Sequence, residues 1–99
     1  MDQFQVIAFS FLEGIPQWQQ NAIREELLGL QLNCKKDGKC YIEDLTGGAQ
    51  CSAEAFTKGV KYIAVVKFSA AADLDYFTHQ DPVALAFMVK FNSMVTRVM

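Results

Sequence analysis

Two rhythms of apolar and polar residues alternate along the chain. From Gln3 to Leu12 (QFQVIAFSFL) the apolar positions fall on both sides of an alternating pattern. Phe4, Val6 and Ala8 share one face; Gln5, Ile7, Phe9 and Phe11 share the other. This predicts a strand with two largely apolar faces, ended by Glu13-Gly14. Pro16 suits a first helical turn, where its missing N–H costs nothing. Trp18, Ala22, Ile23, Leu27 and Leu30 recur at helical spacing, with Gln19, Gln20, Arg24 and Glu25 on the wet side, predicting a helix over about 16–30. Residues 31–39 read as a polar connection containing Gly38. Lys39 to Leu45 reads as a short strand broken by Thr46-Gly47-Gly48. Residues 49–59 read as a loop with a helical turn, ended by Gly59.

Tyr62 to Phe68 (YIAVVKF) is the clearest strand: Tyr62, Ala64, Val66 and Phe68 alternate with Ile63, Val65 and Lys67, and both faces are again mostly apolar. Ser69 is an N-cap candidate for a short helix from Ala70 to Phe77. His79-Gln80-Asp81-Pro82 interrupts it. Val83 to about Asn92 is apolar nearly all round, as a buried helix is, and Met94 to Met99 alternates as a last strand.

The order β-α-β-β-α-β, with its second helical region in two pieces, predicts an α+β fold of ferredoxin-like type. Such a fold is a four-stranded antiparallel sheet with helices on one face, here expected as one domain over 1–99. An antiparallel sheet commonly leaves one face wet and polar. Here both faces are apolar, so the helix-free face calls for a cover. A second copy stacking sheet against sheet supplies it, which predicts a homodimer.

Composition sharpens this picture in a few places. The 52% hydrophobic content and eight Phe in 99 residues fit dense packing or a covered apolar surface. The net charge is only −2, and the densest basic cluster, Lys35, Lys36 and Lys39, contains Asp37. Nucleic-acid binding wants a basic stripe with aromatic platforms, so that class is not expected. Gln5 and Ser10 break the first apolar stretch, and no cationic leader precedes it, so neither a signal peptide nor a membrane span is expected. Three cysteines, Cys34, Cys40 and Cys51, fit free thiols in a reducing cytoplasm. Cys34 and Cys40 flank Asp37-Gly38 and either meet across a turn or stay unpaired; one such pair with no histidine nearby is a poor zinc signal, and no metal is expected.

The run Gly59-Val60-Lys61-Tyr62-Ile63-Ala64-Val65-Val66-Lys67-Phe68, followed by Asp75-Tyr76-Phe77-Thr78-His79, resembles the stress-responsive dimeric α/β-barrel (Dabb) family. That family shows a glycine-led strand ending in Phe, then a helix with an Asp-Tyr-x-x-His motif. The strand Phe4 to Phe11 fits its opening strand, and residues 31–58 fit least. The resemblance implies a dimeric α/β barrel, and the family includes plant stress-response proteins and a plant polyketide cyclase. It further implies a cofactor-independent cyclase-, lyase- or isomerase-like enzyme of secondary metabolism. Its substrate would be a hydrophobic small molecule, ketide- or terpenoid-like. The alternative is a non-catalytic stress-responsive dimer.

Residue by residue, the resemblance gives Tyr76 and His79 as the catalytic pair. Gln5 and Tyr62 stand on the strand wall where the family has histidines, and Pro82 stands where the cyclase has its catalytic one. Ile7, Phe9, Ala64 and Phe87 complete the expected lining. His79, the single histidine, is the natural proton carrier because imidazole titrates near ~6.5. It equally fits a helix end with its tip in water or bonded to Asp81. Tyr76 fits a hydrogen-bond donor to a carbonyl or enolate, or a core aromatic with a wet hydroxyl. Phe87, Met88 and Phe91 fit core packing before a pocket wall.

Overall fold

The computed structural model describes residues 2–49 and 62–97. In chain order the elements are β1 (Gln3–Phe11), α1 (Gln17–Asn33), β2 (Lys35–Lys36), β3 (Lys39–Cys40), β4 (Ile42–Ala49), β5 (Tyr62–Phe68), α2 (Ala71–His79), α3 (Pro82–Asn92) and β6 (Val95–Arg97). The main sheet is four-stranded in the order β4-β5-β1-β6, and its described pairings are antiparallel. All three helices described contribute buried residues to one core on one face, so the chain has the expected α+β, ferredoxin-like fold.

Register explains which residues face the helices. Gln5 pairs with Val66, Ile7 with Ala64, and Phe9 with Tyr62. Ile7, Phe9, Ala64, Val66 and Phe68 are buried under the helices, joined by Ile42 and Leu45 from β4. On α1, Ile23, Leu27, Leu30 and the following Cys34 are buried at steps of four, three and four, the stripe a helix lays on a sheet. Trp18 falls outside it and is 71% exposed, correcting its expected place on the apolar side. Five residues before Ile23, it points ~140° away round the helix.

The opposite face of the sheet carries no helix. Phe4 is 55% exposed there, and Val6, Ile63 and Val65 are half-buried beside it. Lys67 reaches Asp2 at 3.5 Å and Glu43 at 3.4 Å at one end of this face.

Two further expectations change. The polar connection contains a small ribbon, β2 paired with β3, whose turn places Asp37 (φ 54°) and Gly38 (φ 78°) in the left-handed region. Thr46-Gly47-Gly48 does not break the second strand: β4 runs through it, with Gly47 opposite Ala64 and Gly48 opposite Ile63. A Cβ on Gly47 would sit 3.3 Å from the Ile63 carbonyl oxygen, so glycine here serves close approach rather than a turn. The expected loop over 49–59 lies largely outside the described residues. The final strand is seen only as Val95–Arg97.

Candidate functional site

Chemistry-bearing residues gather at two ends of the helix-covered face. The first group lies at the start of β5. Gly47 and Ala64 face each other in register beneath α1, and neither fills the space that larger residues would. The result is a cavity of about 240 Å³ between α1 and the β4-β5 side of the sheet. Phe9, Tyr62 and Ala64 form its sheet wall; Leu27 and Leu28 form its helix wall; Asn21, Arg24 and Glu25 border it with polar groups. The Tyr62 ring stacks on Phe9 at 5.5 Å, and Phe9 meets Phe91 edge-on at 4.7 Å, so the aromatic wall is braced from behind. The Arg24 guanidinium lies 4.7 Å from the centre of the Tyr62 ring. The Tyr62 hydroxyl makes no hydrogen bond among the described residues.

The second group lies at the other end of β5, roughly 20 Å along a strand that advances ~3.3 Å per residue. Tyr41 stacks on Phe68 at 6.1 Å and meets the Tyr76 ring edge-on at 5.3 Å. Its hydroxyl donates to Asp81 Oδ2. Asp81 Oδ1 accepts from the backbone N–H groups of Val83 (2.9 Å) and Ala84 (3.3 Å), capping α3 with Pro82 in its first turn. Asp81 is only 1% exposed, and every acceptor role it needs in this buried place is filled. Burial, then the charge and hydrogen bond of Asp81, pushes the Cys34 thiol from 9.0 up to about 12. Burial first, then the Asp81 hydrogen bond, raises the Tyr41 phenol as well.

The expected site residues divide between these ends. Phe9, Tyr62 and Ala64 line the cavity. Ile7 is fully buried in the core between the two groups. Gln5 is half-buried on the same face but nearer the Phe68 end. Phe87 stacks on Phe91 and borders a separate depression between α1 and α3, bridged by the Glu26–Lys90 ion pair at 2.7 Å. Tyr76 packs at the far end, its hydroxyl 3.5 Å from the Lys35 carbonyl and its ring 5.5 Å from Lys36 Nζ. His79 ends α2 with its side chain 67% exposed, 3.8 Å from Asp75 Oδ1 one helical turn back rather than against Asp81. Neither Tyr76 nor His79 borders the α1 cavity, because α2 packs near Phe68, away from Tyr62. Cys34 and Cys40 are both free: Cys34 turns inward, while Cys40 is exposed with Lys35 Nζ 3.0 Å from its sulfur.

Arg24, Gly47, Tyr41 and Asp81 were not candidates from the sequence. Arg24, Leu27 and Leu28 stand at i, i+3 and i+4, a spacing that marks one helix surface. Asp81 before Pro82 is the N-cap and first-turn pair of a new helix. Among the described residues no cluster of metal-ligating side chains occurs, and no helix is long and apolar enough to cross a membrane.

The fold is shared with solved structures. No family model matches the chain, and no curated protein matches it. A hydroxynitrile lyase from Passiflora edulis superposes with a TM-score of 0.81 at 16% identity, over 98% of this chain and 89% of its own. The crystal structure of At3g17210 from Arabidopsis thaliana gives 0.75 at 18% identity, over 97% and 92%. At such identities the likeness concerns the fold.

Proposed function

We propose that this protein is a cofactor-independent enzyme of lyase or cyclase type that takes a hydrophobic small molecule into the cavity beneath α1. The observation that carries the reading is the cavity itself: apolar on both walls, with a phenol at its edge that makes no hydrogen bond among the described residues. At about 240 Å³ it lies just below the ~300–1,000 Å³ of drug-sized sites, which suits a small substrate or the apolar end of a ketide or terpenoid. Lyase and cyclase steps on such molecules build charge on a carbonyl oxygen, and the Tyr62 hydroxyl, without a partner among the described residues, is placed to donate to it. Orientation between Phe9 and Leu27 contributes the rest, since fixing a flexible substrate near its reactive geometry removes much of a barrier. That one structural neighbour is named a hydroxynitrile lyase supports the choice of reaction class.

The helix-free sheet face supports a homodimer. Phe4, Val6, Ile63 and Val65 would be covered by a second copy, with sedimentation giving twice the chain mass of 11.1 kDa. Val65→Asp should return a folded monomer; a wild-type monomer at micromolar concentration would sink the dimer.

The test of activity is turnover of an aromatic cyanohydrin and of a linear poly-β-keto thioester, compared with three variants. Ala64→Phe, which fills the cavity, should abolish turnover. Tyr62→Phe should lower it ~10²-fold or more, as loss of a positioned proton donor does. His79→Ala should leave it unchanged. A ~10²–10⁴-fold loss on His79→Ala or Tyr76→Phe, with Tyr62→Phe silent, would move the chemistry to the α2 end. The exposed His79, remote from the cavity, favours the second reading, a non-catalytic binding protein. Ligand binding in the cavity without turnover of any substrate would establish it.

A further inference from the structure

The Arg24 guanidinium carbon lies 4.7 Å from the centre of the Tyr62 ring, within cation–π range. Among the described residues it makes no hydrogen bond and no ion pair; the ring is its one partner. A cation–π contact leaves the five N–H donors of a guanidinium without an acceptor, since an aromatic ring uses none of them as a hydrogen-bonded fork. The group is half-buried at the border of an apolar cavity, where a charge-assisted hydrogen bond is stronger than in bulk water. A solvated surface arginine has no need of this placement. One held beside an aromatic wall, with no carboxylate partner among the described residues, is placed to receive a planar anion in a bidentate fork.

We infer that Arg24 selects an acidic ligand for this cavity: a small molecule with an apolar, planar or unsaturated body lying between Phe9 and Leu27, and a carboxylate clamped by the guanidinium edge above Tyr62. This rests on the reading of the cavity as the ligand site. Glu25 also borders the cavity, exposed to solvent, and opposes an anion there. Asn21 Oδ1 is held by Gln17 Nε2 at 2.9 Å, which leaves the Asn21 amide N–H₂ as a further donor at the border. The balance favours the anion, because Arg24 is the more buried of the two charged groups and Glu25 is screened by water.

Cinnamate and cinnamamide have the same shape and differ in charge, so titrating each into the protein at neutral pH separates the charge effect from the cavity. Cinnamate should bind at least tenfold more tightly than cinnamamide. Arg24→Gln should reduce that ratio to about one while cinnamamide affinity holds. Arg24→Lys should keep only part of the ratio, since the ammonium lacks the fork. Glu25→Gln should tighten cinnamate alone. Ala64→Phe, or Leu28→Trp at the helix wall should the first variant fail to fold, should remove binding of both. Equal affinities in the wild type would overturn the inference and leave the cavity reading standing. Binding of both that survives a filled cavity would overturn it too, by placing the ligands elsewhere. If neither compound binds the wild type, the cavity reading fails and the inference with it.

Discussion

Tyr41 and Tyr62 are the same residue at opposite ends of one sheet face, and they are treated in opposite ways. Tyr41 stacks on Phe68 and donates its hydroxyl to Asp81, a carboxylate whose other oxygen caps α3. Tyr62 stacks on Phe9, has the Arg24 guanidinium 4.7 Å from its ring centre, and has a hydroxyl at a cavity that bonds to nothing among the described residues. The first is a closed arrangement in which each polar atom is spent on another part of the chain. The second keeps a phenol and a guanidinium oriented by packing but uncommitted among the described residues. Closed polar clusters in a core hold elements in place; oriented and uncommitted groups beside an empty apolar space are what a ligand meets. The difference fits a stabilising role for the Tyr41 end and, on the proposed reading, ligand binding at the Tyr62 end.

The largest effect is expected from Asp81→Ala. It removes the cap of α3 and leaves the Tyr41 hydroxyl without its acceptor. The cap is worth ~0.5–2 kcal/mol and the stranded hydroxyl ~1–3, so ~1.5–5 kcal/mol together. In a chain of this size that lowers Tm by roughly 6–40 °C. A thermal scan that moves by only a degree or two would show the closed end is not closed.

Tyr41→Phe should come next, at ~1–3 kcal/mol, because it keeps the ring stack and strands only Asp81 Oδ2. The same end sets an alkaline limit. The Cys34 thiol stays protonated in the folded chain up to about 12, whereas in the unfolded chain it ionises around 9.0. Between those values the unfolded state binds fewer protons, so stability falls as pH rises. The contribution is fully present below pH 9 and is lost on the way to 12; Tyr41, also raised, acts in the same direction. Urea midpoints should therefore be level from pH 7 to 8.5 and drop beyond, and Cys34→Ala should flatten the drop. A midpoint that rises with alkali would contradict the burial of Cys34.

Much of this fold was legible because its strands and main helix obey simple periods. The alternation in β1 and β5 put Ile7, Phe9, Ala64 and Val66 on one face, and register then set them under the helices. What was illegible depends on contacts distant in sequence. Gly47-Gly48 reads as a turn until Ala64 and Ile63 are seen opposite it, and the pairing of two small residues is also what makes the cavity. The resemblance led to Tyr76 and His79, yet α2 sets them against Lys35, Tyr41 and Asp75 rather than toward Tyr62. Arg24 looked like one of several wet helix residues, because nothing local reveals that a tyrosine from β5 lies beneath it.

The smallest stability effects belong to the open end, and they test the comparison most directly. Tyr62→Phe deletes a hydroxyl that bonds to nothing among the described residues, so unfolding free energy should stay within ~0.5 kcal/mol of wild type. Arg24→Gln loses one cation–π contact at a half-buried position, worth ~0.5–1 kcal/mol. Both variants should nonetheless lose function in proportion far beyond their cost in stability: turnover for the phenol, anion selectivity for the guanidinium. The contrast with Tyr41→Phe is the decisive measurement, since the chemical change is identical and only the surroundings differ. Should Tyr62→Phe cost as much as Tyr41→Phe, its hydroxyl has a structural partner and the uncommitted phenol is lost as an argument. Should Tyr62→Phe instead stabilise the chain slightly while impairing it, the open end would show the trade of stability for function that binding sites commonly carry.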